Sequence, residues 1–355
     1  MDRCDMLSYD VVQWGRPLEK AERETPKPTG AEVLLQLKYC GVCHSDVHIR
    51  DGYFELGGGK RLPMSERNMN LPATLGHEPY GTIVAAGSEA GVVPIGEDRL
   101  VYPWTGCGAC ARCLEDLDNF CMAARCVGLQ RPGGYADHLL VPHPRYLVDA
   151  RGIDPVWAAT LSCSGLASYS AVSKLGSIPR EEWVAVLGAG GLGLSALSML
   201  RAMGHERIVM VDIDNGRLKT AETAGAAAVV NGCDPDAVAK VKRTTGGSLW
   251  GAVDLVGTTE TAGFSLGLLR KGGKLVLVGL YGGEISLSIV STIMRAITIQ
   301  GSHLGSLAEL KAVVELARAG KLQPIPIEKR PLSEVNRTLD ELKAGAVVGR
   351  VVVEM

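Results

Sequence analysis

Four cysteines in a glycine-containing stretch, Cys107, Cys110, Cys113 and Cys121, follow the spacing C-x2-C-x2-C-x7-C. Such a run can wrap four thiolates tetrahedrally around one ion, and a closed shell of soft sulfur ligands describes a structural zinc site. An iron–sulfur cluster is the competing use of this spacing; the proline that commonly follows the fourth ferredoxin cysteine is missing here, which favours zinc. A second possible metal set is scattered. Cys43 lies in Gly41-Val42-Cys43-His44-Ser45-Asp46, His77 in Gly76-His77-Glu78, and Cys163 in Ser162-Cys163-Ser164-Gly165. Two cysteines and one histidine leave one zinc position free for water or substrate, as a catalytic site requires. Taken singly, such residues are more often core side chains than ligands, and only a fold can unite them.

A third constellation is Gly188-Ala189-Gly190-Gly191-Leu192-Gly193, a G-x-G-x-x-G pattern, with Asp212 about 20 residues further on. The pattern alone is weak. Here an apolar strand precedes it, an apolar helix follows it and the acid ends the next strand, which completes a dinucleotide-binding fingerprint. Gly188 permits the tight turn, Gly190 lets the backbone approach a pyrophosphate, and Gly193 allows close helix–strand packing, while the helix N-terminus offers positive potential. Asp212 would accept hydrogen bonds from the adenosine ribose and repel a 2′-phosphate, so the expected cofactor is NAD rather than NADP. Arg217 and Lys219 are the cations close enough in sequence to oppose that preference.

These groups need two kinds of scaffold. Residues 1–150 read as short β segments (31–39, 81–86, 98–102, 137–141) broken by Gly, Pro and Cys-rich loops, with a short helix after Gly41. From about Glu182 apolar strands (183–187, 207–211, 226–230, 252–256, 274–278) alternate with helical stretches, the pattern of βαβ units around a parallel sheet. The stretch 192–203 is apolar on most of its circumference and should be a buried helix. Two helices (307–319 and 333–344) and a strand (350–353) end the chain.

The bulk properties agree. The chain has 355 residues, 46% of them hydrophobic, 21% charged and 44 glycine, a globular α/β composition with room for two domains. A net charge of -2 offers nothing to nucleic acid or to anionic lipid. No apolar run reaches the roughly 18 residues of a membrane span, and residues 1–10 lack a signal-peptide core, so the expected location is the cytoplasm. Ten cysteines there point to metal binding rather than to disulfides.

In combination, Cys43-His44-Ser45-Asp46-Val47-His48, Gly76-His77-Glu78, the four-cysteine loop, Cys163, the glycine turn and Val348-Gly349-Arg350 resemble the zinc-dependent alcohol dehydrogenases of the medium-chain dehydrogenase/reductase superfamily, over essentially the whole chain. The resemblance implies a Rossmann doubly wound parallel sheet at 154–297. It also implies a β-rich catalytic domain of partly open barrel, GroES-like type at 1–153 and 298–355. It implies two zinc ions per chain: a structural one on the four-cysteine loop, and a catalytic one on Cys43, His77 and Cys163 with Glu78 as an occasional exchange ligand. Asp46 would orient His77. Ser45 would take the alcohol proton and pass it through the nicotinamide ribose to His48, while His44, Gly191, Leu192, Arg217 and Arg350 would join the glycine turn in holding NAD. Trp104 would line the substrate pocket. The implied reaction is hydride transfer between an alcohol, or its aldehyde or ketone, and NAD, with zinc as Lewis acid. A zinc-free reductase of the same superfamily and a non-catalytic NAD sensor are the alternatives. The intact ligand set argues against the first, and that set with Ser45 and His48 against the second.

The resemblance further implies a homodimer or homotetramer with the apolar stretch 285–299 near the contact. The segment 53–70 is longer than in many relatives and is read as a loop beside the cleft. His303 is read as structural, and Cys4, Cys40, Cys126 and Cys233 as ordinary thiols.

Overall fold

A computed structural model describes residues 5–355; Cys4 lies outside the described residues. The expected parallel sheet is present, with strands in the spatial order Ala228–Asn231, Ile208–Asp212, Val184–Leu187, Leu249–Asp254, Leu269–Leu277 and Thr298–Gly301. Every neighbouring pair is parallel. The order reverses beside Val184–Leu187, and ligands of such sheets bind at that switch point, outside the carboxyl ends of the strands. All residues of Val184–Leu187 are buried, as expected of a strand covered on both faces by helices. The last strand, Thr298–Gly301, continues past residue 297.

The β-rich part holds a seven-stranded mixed sheet. Its centre is Val33–Val42, paired antiparallel with Glu78–Ala86 on one side and with the C-terminal strand Arg350–Glu354 on the other. This pairing carries Arg350 back beside Val42 and Cys43. A three-stranded sheet of Glu19–Glu24, Asp5–Val11 and Ala73–Thr74 flanks it; its first two strands were not anticipated. One continuous core runs from Val33 and Leu35, through Leu161, Cys163 and Leu166, to Val184 and Val186, so the two sheets share a hydrophobic joint. Burying each Val or Leu there stabilises by roughly 1.5–3 kcal/mol.

Two local structures depart from expectation. The segment 53–70 is no simple loop: Tyr53–Gly57 pairs with Lys60–Pro63 as a hairpin, followed by a 3₁₀ turn at Met64–Arg67. Gly57, Gly58 and Gly59 all adopt positive φ at its tip, which glycine does without the Cβ penalty. The helical run Pro155–Thr160 and Leu166–Ser173, joined by a π-helical turn at Leu161–Gly165, also went unread. Its small Ala and Ser residues are buried nearly all round, which leaves no amphipathic stripe to detect.

Candidate active site

The four-cysteine loop folds so that the Sγ atoms of Cys107, Cys110, Cys113 and Cys121 lie within 4.8 Å of one another. Separations of 3.9 Å (Cys107–Cys113), 3.6 Å (Cys110–Cys113) and 3.8 Å (Cys110–Cys121) match the ~3.8 Å expected of two thiolates each ~2.3 Å from one tetrahedral ion. A disulfide would need about 2.05 Å. Backbone N–H groups of Cys110 and Cys107 point at Cys107 Sγ and Cys121 Sγ, both at 3.4 Å. The N–H groups of Ala109 and Cys110 pull the Cys107 thiol down to about 6, toward the thiolate a metal needs. A Cβ on Gly106 would fall 2.3 Å from Cys113 Sγ, so only glycine fits. Buried Asp118 anchors the lobe by accepting from the Tyr146 hydroxyl at 2.8 Å and from Arg145 at 2.8 Å.

The scattered set also converges. Cys43 follows the central strand and caps the N-terminus of the helix His44–Asp51, His77 precedes the strand Glu78–Ala86, and Cys163 sits on the π-helical turn. Ligand atoms of Cys43, His77, Glu78 and Cys163 lie within 4.8 Å of one another, all buried, with Cys43 Sγ 3.9 Å from Cys163 Sγ. The thiolate-spacing argument applies here too. Asp46 fixes the set: one carboxylate oxygen accepts from His77 Nδ1 at 3.0 Å, the other from the Cys43 N–H at 3.0 Å and the Tyr135 hydroxyl at 2.8 Å. With the proton on Nδ1, His77 Nε2 keeps a lone pair, and that buried atom has no hydrogen-bond partner. A metal ion satisfies such an atom, so the donor set fits zinc. Hydrogen bonding from Cys163 outweighs burial and holds the Cys43 thiol well below its ordinary range, while Cys163 is pushed up.

Glu78 stands behind the set. One oxygen takes a close ion pair from Arg350, and the other has no partner. Burial pushes its carboxyl up to about 7 against the pull of Arg350. Glu78 pairs in register with Gly41, where a Cβ would fall 2.2 Å from Glu78 Oε2. Arg350 also touches the glycine turn, since a Cβ on Gly191 would meet its Cδ at 2.4 Å. One buried arginine therefore borders both the metal set and the nucleotide fingerprint.

In that fingerprint Gly188 has φ 95°, and a Cβ on Gly193 would stand 1.9 Å from the Gly188 carbonyl oxygen. Nothing would lie within 4 Å of a Cβ on Gly190, which leaves open space where a ligand phosphate would approach. The Leu192 carbonyl accepts from Ser168 Oγ at 3.0 Å, locking the helix Gly191–Ala202 onto its neighbour. Asp212 reaches the turn, accepting from the Ala189 N–H at 2.6 Å and the Asp214 N–H at 2.9 Å. Arg217 donates to the carbonyls of Gly345 and Val347, at 2.5 and 3.4 Å.

Half-buried His44, Ser45 and His48 share the helix next to Cys43. The sequence reading missed their neighbours: Tyr281 from the parallel-sheet side packs 4.6 Å from the His44 ring and 6.3 Å from that of His48, and Phe54 of the hairpin lies 5.2 Å from His48. Burial lowers the pKa of both imidazoles, leaving them neutral near pH 7. Trp104 is buried with its ring 5.3 Å from that of His77, and its indole donates to the Ser162 carbonyl at 3.2 Å. Tyr135 and Tyr281 carry no local motif, and only the fold brings them here.

Comparison with known proteins agrees with this geometry. Residues 29–151 match the family model for the alcohol dehydrogenase GroES-like domain, and residues 191–319 that for the zinc-binding dehydrogenase. An NAD-dependent alcohol dehydrogenase from Sulfurisphaera tokodaii is 35% identical over 97% of this chain and 99% of its own length. The crystal structure of the alcohol dehydrogenase from Aeropyrum pernix superposes with a TM-score of 0.89 at 29% identity, covering 98% of this chain and 100% of that one. The D-arabinose dehydrogenase from Sulfolobus solfataricus superposes at 0.83 with 30% identity, covering 99% of each chain. With two side-chain clusters that could each hold a metal ion, a dinucleotide turn and full-length relatives of this kind, the chain belongs to the zinc-dependent alcohol dehydrogenases of the medium-chain dehydrogenase/reductase superfamily.

Proposed function

We propose that this chain is an NAD-dependent alcohol dehydrogenase that interconverts a small-molecule alcohol and its aldehyde or ketone. The observation that carries the reading is the buried set of Cys43, His77 and Cys163 beside the Ser45–His48 helix and the Arg350-bordered glycine turn. Catalytic zinc would be held by those three residues, with Glu78 available for exchange, and structural zinc by Cys107, Cys110, Cys113 and Cys121. When bound, the catalytic ion supplies Lewis acidity to the substrate oxygen. Asp46 orients His77 for that ion. Ser45 Oγ takes the hydroxyl proton, His48 exchanges it with water, and Trp104 walls off solvent. Gly188, Gly190, Gly191, Leu192, Gly193, Asp212, His44 and Arg350 hold NAD, and Arg217 braces the 345–347 segment from the same side.

The domain division follows: 1–153 with the C-terminal segment as the catalytic unit, and a Rossmann unit beginning at 154. The position of Thr298–Gly301 in the parallel sheet supports moving its end from 297 to about 301. A homodimer or homotetramer is supported by the exposed apolar face of helix Ile289–Arg295, where Ile289, Val290, Ile293 and Met294 face outward beside the edge strand. No helix among the described residues is long and apolar enough to cross a membrane. The free thiols among those residues support a cytoplasmic location.

Absorbance at 340 nm with a panel of alcohols and NAD tests the reading; absence of NADH formation with every alcohol on zinc-loaded protein would refute it. Two further results are expected. Cys110→Ser should lower the zinc content by one ion and the thermal midpoint sharply, because a structural zinc contributes on the order of 10 kcal/mol in small model sites. An unchanged midpoint would show that the lobe folds without its metal. Coenzyme choice should favour NAD over NADP by at least about tenfold, a modest ~1.4 kcal/mol, because Asp212 would face the added phosphate. Asp212→Gly should narrow or reverse that preference. A higher kcat/KM with NADP in the unmodified enzyme would mean that Asp212 does not meet the ribose.

A further inference from the structure

Rings from both parts of the fold meet on the helix that follows Cys43. His44 and His48 stand one turn apart on the helix His44–Asp51, their ring centroids 5.2 Å from each other. Phe54 of the hairpin packs on His48 at 5.2 Å. Tyr281, from the loop after strand Leu269–Leu277 of the parallel sheet, packs on His44 at 4.6 Å and meets His48 edge-on at 6.3 Å. These separations fall in the ~4.5–7 Å range over which aromatic rings attract. His48 is thus held by Phe54 from the β-rich part and by Tyr281 from the nucleotide-binding part, besides its neighbour His44.

The loop that carries Tyr281 is fixed at the backbone. Tyr281 N–H donates to the Val256 carbonyl at 3.3 Å, and Gly282 N–H to the Gly257 carbonyl at 2.9 Å. The 256–257 turn is held by buried Asp254, which accepts from the N–H groups of Val256 at 3.0 Å and Gly257 at 2.9 Å. Val256 packs on the cofactor turn, since a Cβ on Gly188 would fall 2.9 Å from Val256 Cγ2. The hairpin abuts the same loop: a Cβ on Gly282 would fall 2.4 Å from the Glu55 carbonyl oxygen, and one on Gly57 2.7 Å from the Gly283 carbonyl carbon. Tyr281 and Phe54 therefore reach His48 on two elements that touch.

The ring of Tyr281, not its hydroxyl, makes these contacts. Tyr281 is 46% exposed, and among the described residues its hydroxyl makes no hydrogen bond. So exposed a side chain adds little to the core. What it supplies is a rigid aromatic face with few torsions to freeze. A proton-relaying imidazole needs its ring nitrogens within hydrogen-bond reach of successive partners, and displacement by about 1 Å can cost a large factor in rate.

We propose that Tyr281 is a positioning residue for the proton path: its ring, set by the nucleotide-binding sheet, holds His48 directly and through His44 in the orientation that passes the substrate proton to water. The proposal rests on the alcohol dehydrogenase reading and deepens it. The proton that Ser45 takes up leaves by way of His48, and Tyr281 neither gains nor loses one.

Single-turnover alcohol oxidation at saturating NAD tests it, with proton release followed by a pH-indicator dye and hydride transfer by absorbance at 340 nm. Saturation removes any loss of NAD affinity through His44. Tyr281→Leu should slow proton release by about tenfold, within the cost of a misplaced transfer group. Tyr281→Phe, which keeps the ring, should recover most of that rate. In a His48→Gln background, Tyr281→Leu should add less than about twofold, because residues that act as one unit are not additive. A general loosening of the fold would act equally in both backgrounds. Normal proton release in Tyr281→Leu, a loss that Tyr281→Phe does not recover, or an equal loss in the His48→Gln background overturns the proposal alone. Failure of the unmodified enzyme to oxidise any alcohol overturns the parent reading with it.

Discussion

Replacing Cys43 by Ser is expected to lower kcat/KM for alcohol oxidation by about 1000-fold or more while NAD binding persists. The residue sits in the buried set whose donor atoms all fall within 4.8 Å, and its thiol is already held toward the thiolate by hydrogen bonding from Cys163. Serine is a harder and far more weakly acidic donor, so the site loses one of its two soft ligands. Lewis-acid stabilisation of developing charge is worth several kcal/mol. At ~1.4 kcal/mol per tenfold, loss of most of it gives roughly three powers of ten. The glycine turn and Asp212 belong to other elements, so NADH binding, read by fluorescence titration, should remain within a few-fold of the unmodified protein. Turnover within tenfold of normal would remove Cys43 from the metal set.

Ser45→Ala is expected to cost at least about 100-fold in kcat, the lower end for removing a general acid–base group. Ser45 shares the first turn of the helix His44–Asp51 with the cap that Asp46 makes to Cys43, so its hydroxyl is positioned by the same element that positions the ligand. His48→Gln should lose less, because water reaches the outer end of the path. His48 stands one turn along the helix, half-buried between Phe54 and Tyr281. Pre-steady-state kinetics with deuterated alcohol separates proton loss from hydride transfer. A Ser45→Ala enzyme with near-normal single-turnover rates would require the proton to leave by another route.

The parts of this molecule that were legible in the sequence are those whose chemistry is written locally. The glycine turn was readable because a strand, a helix and Asp212 frame it within one βαβ unit, and the four-cysteine lobe because its ligands are close in sequence. Cys43, His77 and Cys163 were joined only by resemblance. Their meeting depends on the register of Val33–Val42 with Glu78–Ala86 and on a π-helical turn among small buried residues that shows no periodicity. The hairpin at 53–63 was read as a loop because its glycine-rich tip and polar residues mask two short strands. Tyr135 on Asp46 and Tyr281 on His44 arise from contacts across long sequence separations, which no local pattern shows. The contacts of Arg217 with the backbone carbonyls of 345 and 347 likewise join segments far apart in sequence.

Zinc per chain, measured by elemental analysis on purified protein together with the Cys43→Ser and Cys110→Ser variants, tests the central claim most directly. The account predicts two zinc ions in the unmodified chain and one in each variant, with activity lost in Cys43→Ser and stability lost chiefly in Cys110→Ser. An unmodified chain that is active without zinc, or that holds iron in its place, would contradict it.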